Sequence, residues 1–358
     1  MRTKTVLWVA AAVVVVLLAG LGVAFAVRSS DRAAGEKPAP SALPSTPAAS
    51  PSAGPSPSPG ADLTGPLDLL IIGVDTRVSV PDWQPHADAI MLLHVDAGLT
   101  NGYLTSLPRD LRVDIPGHGR HKLTEAMSYG AEVPGTGKAD PLKGYALLAK
   151  TISAYTGIKK FQAGAILTFG GLSKLTDALG GVTLTIDQKV LSHHRKPDGS
   201  LRPLAPGGGD YLGPQAVYLP GTRKLTGWQA IDYARQRYGL PNGDYDRQRH
   251  QRQLVKALLT QAGNAGLATD AAKLTGVIKA LGNALLVTGD RPAAEYAYAL
   301  RDLTPAGVTM VSLPGDSVIS GGGYLGEQLL ADGRAYLKAV AANKPGPFLR
   351  AHPKLINK

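Results

Sequence analysis

No cysteine occurs in the 358 residues, which removes disulfide frameworks, Cys-ligated zinc, iron-sulfur clusters and thiol nucleophiles together. Several catalytic signatures are also missing. There is no G-x-S-x-G elbow, no H-E-x-x-H and no G-x-x-x-x-G-K-[ST] phosphate loop, so none of the chemistries those motifs carry is indicated. Gly321 to Gly326 does satisfy G-x-G-x-x-G. Pro314 to Ser320 separates it from the preceding strand and no βαβ unit follows, so it reads as a flexible glycine loop rather than a dinucleotide site. Acidic residues are in short supply, 27 against 38 Lys and Arg, for a formal net charge of +11. That excess points to an anionic partner: nucleic acid, membrane lipid or a phosphorylated substrate.

Part of the charge lies at the N-terminus. Residues 1–5 hold Arg2 and Lys4, and Val6 to Val27 contains no charged residue. As a helix this run spans about 33 Å, enough to cross the hydrocarbon core of a bilayer. Ala24-Phe25-Ala26 resembles a signal-peptide cleavage site, but the run is long for a secretory h-region, so an uncleaved anchor is expected. The short basic tail is the cytoplasmic end by the positive-inside rule, which puts everything after Val27 outside the cell. Residues 28–60 turn to Ala, Pro and Ser, with eight prolines between Pro38 and Pro59. Such a stretch buries too little apolar surface to order itself and reads as a stalk. The remainder keeps 33 basic against 25 acidic residues, so most of the excess belongs to the folded part. An extracytoplasmic basic domain has little access to chromosomal DNA, and nucleic acid falls away as a partner.

Residues 61–343 read as one large domain, without an internal repeat or a domain-sized linker. Strands are expected at Leu67 to Val74, Ala89 to Val95, Tyr103 to Leu107, Leu111 to Ile115, Phe161 to Thr168, Val182 to Ile186 and Val308 to Leu313. Helical stripes run from Pro141 to Tyr155, Leu172 to Leu179, Gly227 to Ala234, Asp246 to Gln261, Ala271 to Leu281, Ala293 to Leu303 and Gln328 to Ala342. Thr226 is the expected N-cap of the third helix, and Asp244 or Asp246 of the fourth. Residues 344–358 show no period and read as irregular. This alternation implies an α/β fold, a central mixed β-sheet flanked by helices on both faces.

Two clusters carry chemistry. Arg235 to Arg252 holds five arginines with Asp244 and Asp246 among them. Arg235 and Arg237 share one side of an extended segment. In the following helix Arg247 and Gln251 are spaced i, i+4, and Leu254 and Leu258 continue the stripe. A face that passes from polar to apolar in this way suits a pocket with an anion-binding mouth and a greasy floor. A solvated helix with surface salt bridges to Asp244 and Asp246 fits the same spacing. The second cluster, Asp75, Arg77, Asp88, Arg109 and Asp110, lies at strand ends, where ligands of open α/β sheets collect. Two carboxylates there can hold Mg²⁺ with phosphate oxygens completing the shell, or serve singly as turn residues and caps.

These residues resemble the LytR-CpsA-Psr family of cell-wall glycopolymer ligases. The matching segments are Leu69 to Arg77, Ala87 to Leu92, Ser106-Leu107-Pro108-Arg109-Asp110, Asp177 to Val182, Leu225 to Ala230, Tyr233 to Arg237 and Asp244 to Gln251, in the family's order. The resemblance implies a membrane-anchored, extracytoplasmic phosphotransferase that moves a glycopolymer from a polyprenyl-pyrophosphate carrier to a peptidoglycan hydroxyl, releasing polyprenyl phosphate. The polymer would be of teichoic acid, arabinogalactan-like or capsular type. It implies a sheet and helices enclosing a hydrophobic tunnel for the lipid. Asp75 and Asp88 would hold Mg²⁺, with Mn²⁺ as an alternative. Arg109, Arg235, Arg237 and Asp110 are the catalytic candidates, Asp110 and Asp75 being the carboxylates open to a general-base role. Arg77, Lys122, Arg247 and Gln251 would bind substrate. The chain departs from the family at Ala87 and Ala89 around Asp88, at His86, at Leu123-Thr124-Glu125 after Lys122, and at His250 and Arg252 beside Gln251. A non-catalytic lipid or wall-polymer binding protein, and a pyrophosphatase that accepts water, are the competing readings.

Overall fold

The computed structural model describes residues 60–75, 84–265, 277 and 281–357. The expected tail, membrane span and stalk up to residue 59 lie outside the described residues, as do Arg77 and most of the expected helix Ala271 to Leu281. Among the described residues no helix is long and apolar enough to cross a membrane.

The described chain opens with β1 (Leu67–Asp75), β2 (His86–Val95) and β3 (Gly102–Leu107). A ribbon follows, β4 (Arg112–Ile115) and β5 (Gly119–Lys122), then α1 (Leu123–Ala131) and α2 (Pro141–Thr156). Next come β6 (Ala163–Thr168), α3 (Phe169–Ala178), β7 (Val182–Ile186) and, after a long insertion, β8 (Gly221–Leu225). The arginine segment occupies α4 (Gly227–Arg235) and α5 (Asp244–Asn264). Beyond it lie β9 (Leu285–Gly289), α6 (Ala293–Ala299), β10 (Val308–Val311), the hairpin β11 (Gly315–Ser320) and β12 (Gly323–Leu329), α7 (Ala331–Ala341) and α8 (Pro345–Ala351).

Six strands make one mixed sheet in the order β9-β6-β1-β2-β3-β10. β1 runs antiparallel to β2 and parallel to β6, and β3 runs antiparallel to β2 and parallel to β10. Both faces are covered, which is why β1 reads as an almost unbroken apolar run. Leu67 and Leu69 pack into a core with Leu175 of α3, Ile231 of α4 and Leu254 and Leu258 of α5. Leu70, Ile72 and Val74 point into a second core with Met127 of α1, Leu148 of α2, Leu337 of α7 and Leu349 of α8. Asp68, the one charge before the strand's last residue, faces His94 across the ladder, with Nδ1 and Oδ1 2.8 Å apart.

Local chemistry sets the helix ends that matter to the site. At α4, Gln229 Oε1 accepts from the Thr226 backbone N–H at 2.9 Å, half of a capping box. The Gly227 N–H donates to Asp177 Oδ1 of α3 at 2.7 Å. Gly227 has to be glycine, because a Cβ there would overlap the Ser173 carbonyl and the Asp177 carboxylate.

Several expectations need correction. The N-cap of α5 is Gly243, neither Asp244 nor Asp246, and Asp246 instead reaches back to accept from the Asn242 N–H at 3.0 Å. The Ala293 to Leu303 helix tightens into a 3-10 turn at Leu300–Asp302. Gln328 and Leu329 are strand, so the last long helix begins only at Ala331. The tail, expected to be irregular, folds as α8, and Ile356 bridges to Val311 on the outer edge of β10. The Gly321 to Gly326 segment is the turn and second strand of a hairpin rather than a loop. α1 has no side-chain N-cap and only nine residues, leaving little periodic signal.

Candidate active site

The site begins with an irregularity in the sheet. Gly73 pairs with Ala89 and Val74 with Ala87, which leaves Asp88 as the extra residue of a bulge. A bulge bends its strand and re-aims a side chain. Here Asp88 accepts from Arg109 Nη1, just beyond the end of β3. Arg109 Nε also lies 3.6 Å from Asp110 Oδ2, and Asp110 Oδ1 lies 3.3 Å from Lys122 Nζ at the end of β5. Burial works against the charge of Arg109, but Asp88 and Asp110 outweigh it, and its pKa is raised.

The first turns of α5 complete the cluster. Arg247 Nη2 donates to the Asp88 carbonyl at 3.1 Å and pairs with Asp244 Oδ1 at 2.7 Å. Its side chain is only 6% exposed. Burial pulls its pKa below the usual arginine range, Asp244 opposes that shift, and Arg109 adds to it. Its Nε is buried without a hydrogen-bond partner. A buried guanidinium with an unused donor beside other cations is suited to an anionic oxygen.

Arg235, the last residue of α4, lies 3.4 Å from Asp75 Oδ2 and stacks over Phe169 with 4.4 Å to the ring centroid. Arg237 turns to Tyr238, donating to its hydroxyl at 2.8 Å, and still contributes to the positive field at Arg247. Of the residues expected from sequence, Asp88, Arg109, Asp110 and Lys122 are joined by successive ion pairs, Arg247 with its partner Asp244 joins them through the Asp88 carbonyl, and the Arg235–Asp75 pair stands at the end of the adjacent strand, so that together they make a row along the strand ends. Gln251 lies one turn below Arg247, and Arg77 is outside the described residues.

Beneath the row is an apolar slot between the sheet and α3, α4 and α5. Its walls include Ile71, Met91, Phe169, Ile231, Leu254 and Leu258, and among the described residues its polar side chains are Arg235 and Gln251. Only about 70 Å³ of it admits the centre of a water molecule, so it is narrow. That shape admits an extended hydrocarbon chain better than a bulky ring system. The polar-to-apolar face inferred for α5 is thus realised, and the solvated-helix alternative is excluded for Arg247 and Gln251, both buried.

Asp75 and Asp88 stand on adjacent strands, Asp88 two residues along from His86, which pairs with Asp75. Among the described residues no group of three or more His, Cys, Asp or Glu is gathered for a metal. Asp75 and Asp88 would offer a metal no more than two carboxylates, a set that suits Mg²⁺ completed by water and phosphate oxygens rather than a closed zinc site.

Some neighbours were not evident from sequence. Phe169, Tyr324 and Glu327 are brought to the row by tertiary contacts, and no spacing rule flags them. His86 bonds Ser128 Oγ, which donates to the Pro85 carbonyl at 3.0 Å.

The fold and site define an α/β class in which a cation-rich shelf at the strand ends opens onto an apolar slot. The chain belongs to the LytR_cpsA_psr family, whose model matches residues 29–336. It is 24% identical over 292 residues to "Cell wall biosynthesis protein LcpA" of Corynebacterium glutamicum, covering 73% of this chain and 52% of that protein. It is 29% identical over 199 residues to "Polyisoprenyl-teichoic acid--peptidoglycan teichoic acid transferase TagU" of Enterococcus faecalis, covering 54% and 53%. The chain spans about half the length of these curated relatives. Among solved structures, "TagT bound to LIIa-WTA" superposes with a TM-score of 0.56 at 22% identity, covering 81% of this chain and 94% of the other, which shows a shared fold.

Proposed function

We propose that the protein transfers a wall glycopolymer from a polyprenyl-pyrophosphate carrier to a hydroxyl of peptidoglycan, releasing polyprenyl phosphate. The observation that carries this reading is the continuity of the ion-pair row with the narrow apolar slot through Arg235 and Gln251. A lipid chain in the slot places its pyrophosphate among Arg109, Arg235, Arg237 and Arg247. The names of the relatives, one a teichoic acid transferase and one a cell wall biosynthesis protein, point to the same substrates.

The acceptor oxygen attacks the phosphorus next to the polymer, a new P–O bond forms, and the bond to the bridging oxygen breaks. The electron pair leaves with polyprenyl phosphate, and the acceptor proton passes to a carboxylate. Asp110 is assigned that role, because Asp75 would be a ligand of the metal. Planar guanidinium forks match phosphate oxygens and offset the charge that builds on the leaving group. Mg²⁺ or Mn²⁺ held by Asp75 and Asp88 would neutralise further phosphate charge. The N-terminal segment, residues 6–27, would hold the domain on the outer face of the cell membrane, beside lipid donor and wall acceptor.

The test is transfer from purified lipid-linked donor to peptidoglycan. Asp75→Ala and Arg235→Ala should each abolish product while the domain stays folded. Full activity in both variants would overturn the assignment.

A further inference from the structure

The glycine-rich segment that matched G-x-G-x-x-G forms the turn and return strand of the β11–β12 hairpin, with Gly321 and Gly322 at φ +58 and +76. The hairpin stands apart from the central sheet and is tied to the ion-pair row at its base. The Glu327 N–H donates to the Asp110 carbonyl at 2.8 Å. Three hydroxyls converge on the Glu327 carboxylate: Tyr324 at 2.8 Å and Ser317 at 3.1 Å on Oε1, and Tyr245 of α5 at 3.2 Å on Oε2. Lys122 Nζ lies 4.7 Å from the centroid of the Tyr324 ring, and Tyr324 is still 47% exposed.

These contacts give the row two unlike ends. At one end Arg235, Phe169 and the apolar slot meet. In the middle lie the Arg109–Asp88 and Arg247–Asp244 pairs. At the other end Lys122 and Asp110 meet a half-exposed aromatic ring, a carboxylate with one lone pair of Oε2 still unused and several hydroxyls. An amphiphile with its chain in the slot and its phosphates on the arginines presents its next group to that far end. A ring face beside hydrogen-bonding groups suits the mixed C–H and O–H surface of a sugar.

We infer that the β11–β12 hairpin is a saccharide subsite, with Tyr324 as the platform for a sugar ring and Glu327 as an acceptor for its hydroxyls. This rests on the reading of the row as a pyrophosphate site. The sugar is either the first unit of the donor or a unit of the acceptor glycan, since both must approach the same phosphorus.

The test uses the full chain in detergent micelles and three probes: polyprenyl pyrophosphate, polyprenyl-pyrophosphoryl-N-acetylglucosamine, and a soluble tetrasaccharide of β-1,4-linked N-acetylglucosamine. Binding is measured for the wild type, Tyr324→Ala, Tyr324→Phe and Glu327→Gln. Tyr324→Ala should weaken at least one sugar probe by about tenfold, the scale of an interface anchor, and leave polyprenyl pyrophosphate unchanged. Tyr324→Phe should keep most of the affinity, and Glu327→Gln should weaken the same sugar probe. A loss confined to the sugar-bearing lipid assigns the donor unit, and a loss on the tetrasaccharide assigns the acceptor. Absence of sugar binding in the wild type, equal affinity in Tyr324→Ala, or equal loss of all three probes would overturn the inference. Failure of the wild type to bind polyprenyl pyrophosphate would instead overturn the pyrophosphate reading, and the tetrasaccharide arm reads the hairpin without it.

Discussion

Arg247 and Asp88 are 159 positions apart in the chain, yet the Arg247 guanidinium donates to the Asp88 carbonyl at 3.1 Å. The bond joins the first turns of α5 to the bulge in β2. It fixes the backbone whose side chain meets Arg109, so the cations of the site are positioned before any anion arrives.

Replacing Arg247 should therefore affect both folding and transfer. Arg247→Ala leaves Asp244 without its 2.7 Å partner and the Asp88 carbonyl without its donor. A loss of about 3 kcal/mol in urea unfolding is expected, since the partly buried Asp244 carboxylate is left without its ion pair. Transfer should fall by about 10² to 10³-fold. Arg247→Lys should recover part of the stability and little of the activity, because an ammonium that takes over the two Nη2 contacts leaves no planar fork to offer a phosphate.

Asp75→Asn and Asp88→Asn test the metal through its concentration dependence, since each also removes the anion of an ion pair, with Arg235 or with Arg109. Each keeps the shape of its side chain and removes the charge that would hold a hard cation. Half-activation should require more Mg²⁺ in both variants than in the wild type. Chelation should abolish wild-type transfer, and Mg²⁺ or Mn²⁺ should restore it where Zn²⁺ does not. Transfer that proceeds unchanged in EDTA would remove the metal from the mechanism.

Gly227→Ala should destabilise the protein from outside the row. The added Cβ meets the Ser173 carbonyl and the Asp177 carboxylate, so α4 must move away from α3. Overpacking of this kind costs about 1–3 kcal/mol, a drop of several degrees in thermal unfolding. Arg235 ends the same helix, so transfer should fall more than the fraction of folded protein explains.

His250 predicts a pH dependence. It is fully buried, stacks on Tyr233 with ring centroids 4.4 Å apart, and burial lowers its pKa to about 4. Asp187 and Asp246 nearby favour its charge and Arg249 opposes it, and burial prevails. The unfolded chain takes up this proton near 6.5 and the folded chain only near 4. Its contribution to stability is thus complete above pH 6.5 and is lost as pH falls from 6.5 to about 4, at about 1.4 kcal/mol per unit. His250→Gln should flatten that slope in denaturation series at pH 7, 6 and 5. Some slope should remain, because burial also lowers His194 to about 4.

Elements with strong local signals were legible in the sequence. β1 reads as a buried strand because helices cover both of its faces. α2 reads as a helix because Asp140 caps it, Gly157 ends it, and its apolar stripe faces the second core. The tail and the glycine hairpin were not legible. α8 is held by contacts between Leu349 and a distant core, and β12 by Glu327 bonding to Asp110. A reading based on period and turn residues does not register either contact.

The sequence by itself determined the α/β alternation, the cation excess and the polar-to-apolar face of α5, because these depend on side-chain identity at fixed helical or strand spacing. It also named Asp75, Asp88, Arg109, Arg235 and Arg247 from their places at element ends. Only the tertiary structure decided that Arg247 would be buried against Asp88 and Asp244 rather than solvated. The bulge that sets Asp88 apart, the Phe169 ring beneath Arg235 and the Tyr324–Glu327 end of the row were decided there too. Each depends on the register of one strand against another or on the docking of a helix on a sheet. Those are relations between segments remote in the chain, set by which apolar faces must be covered.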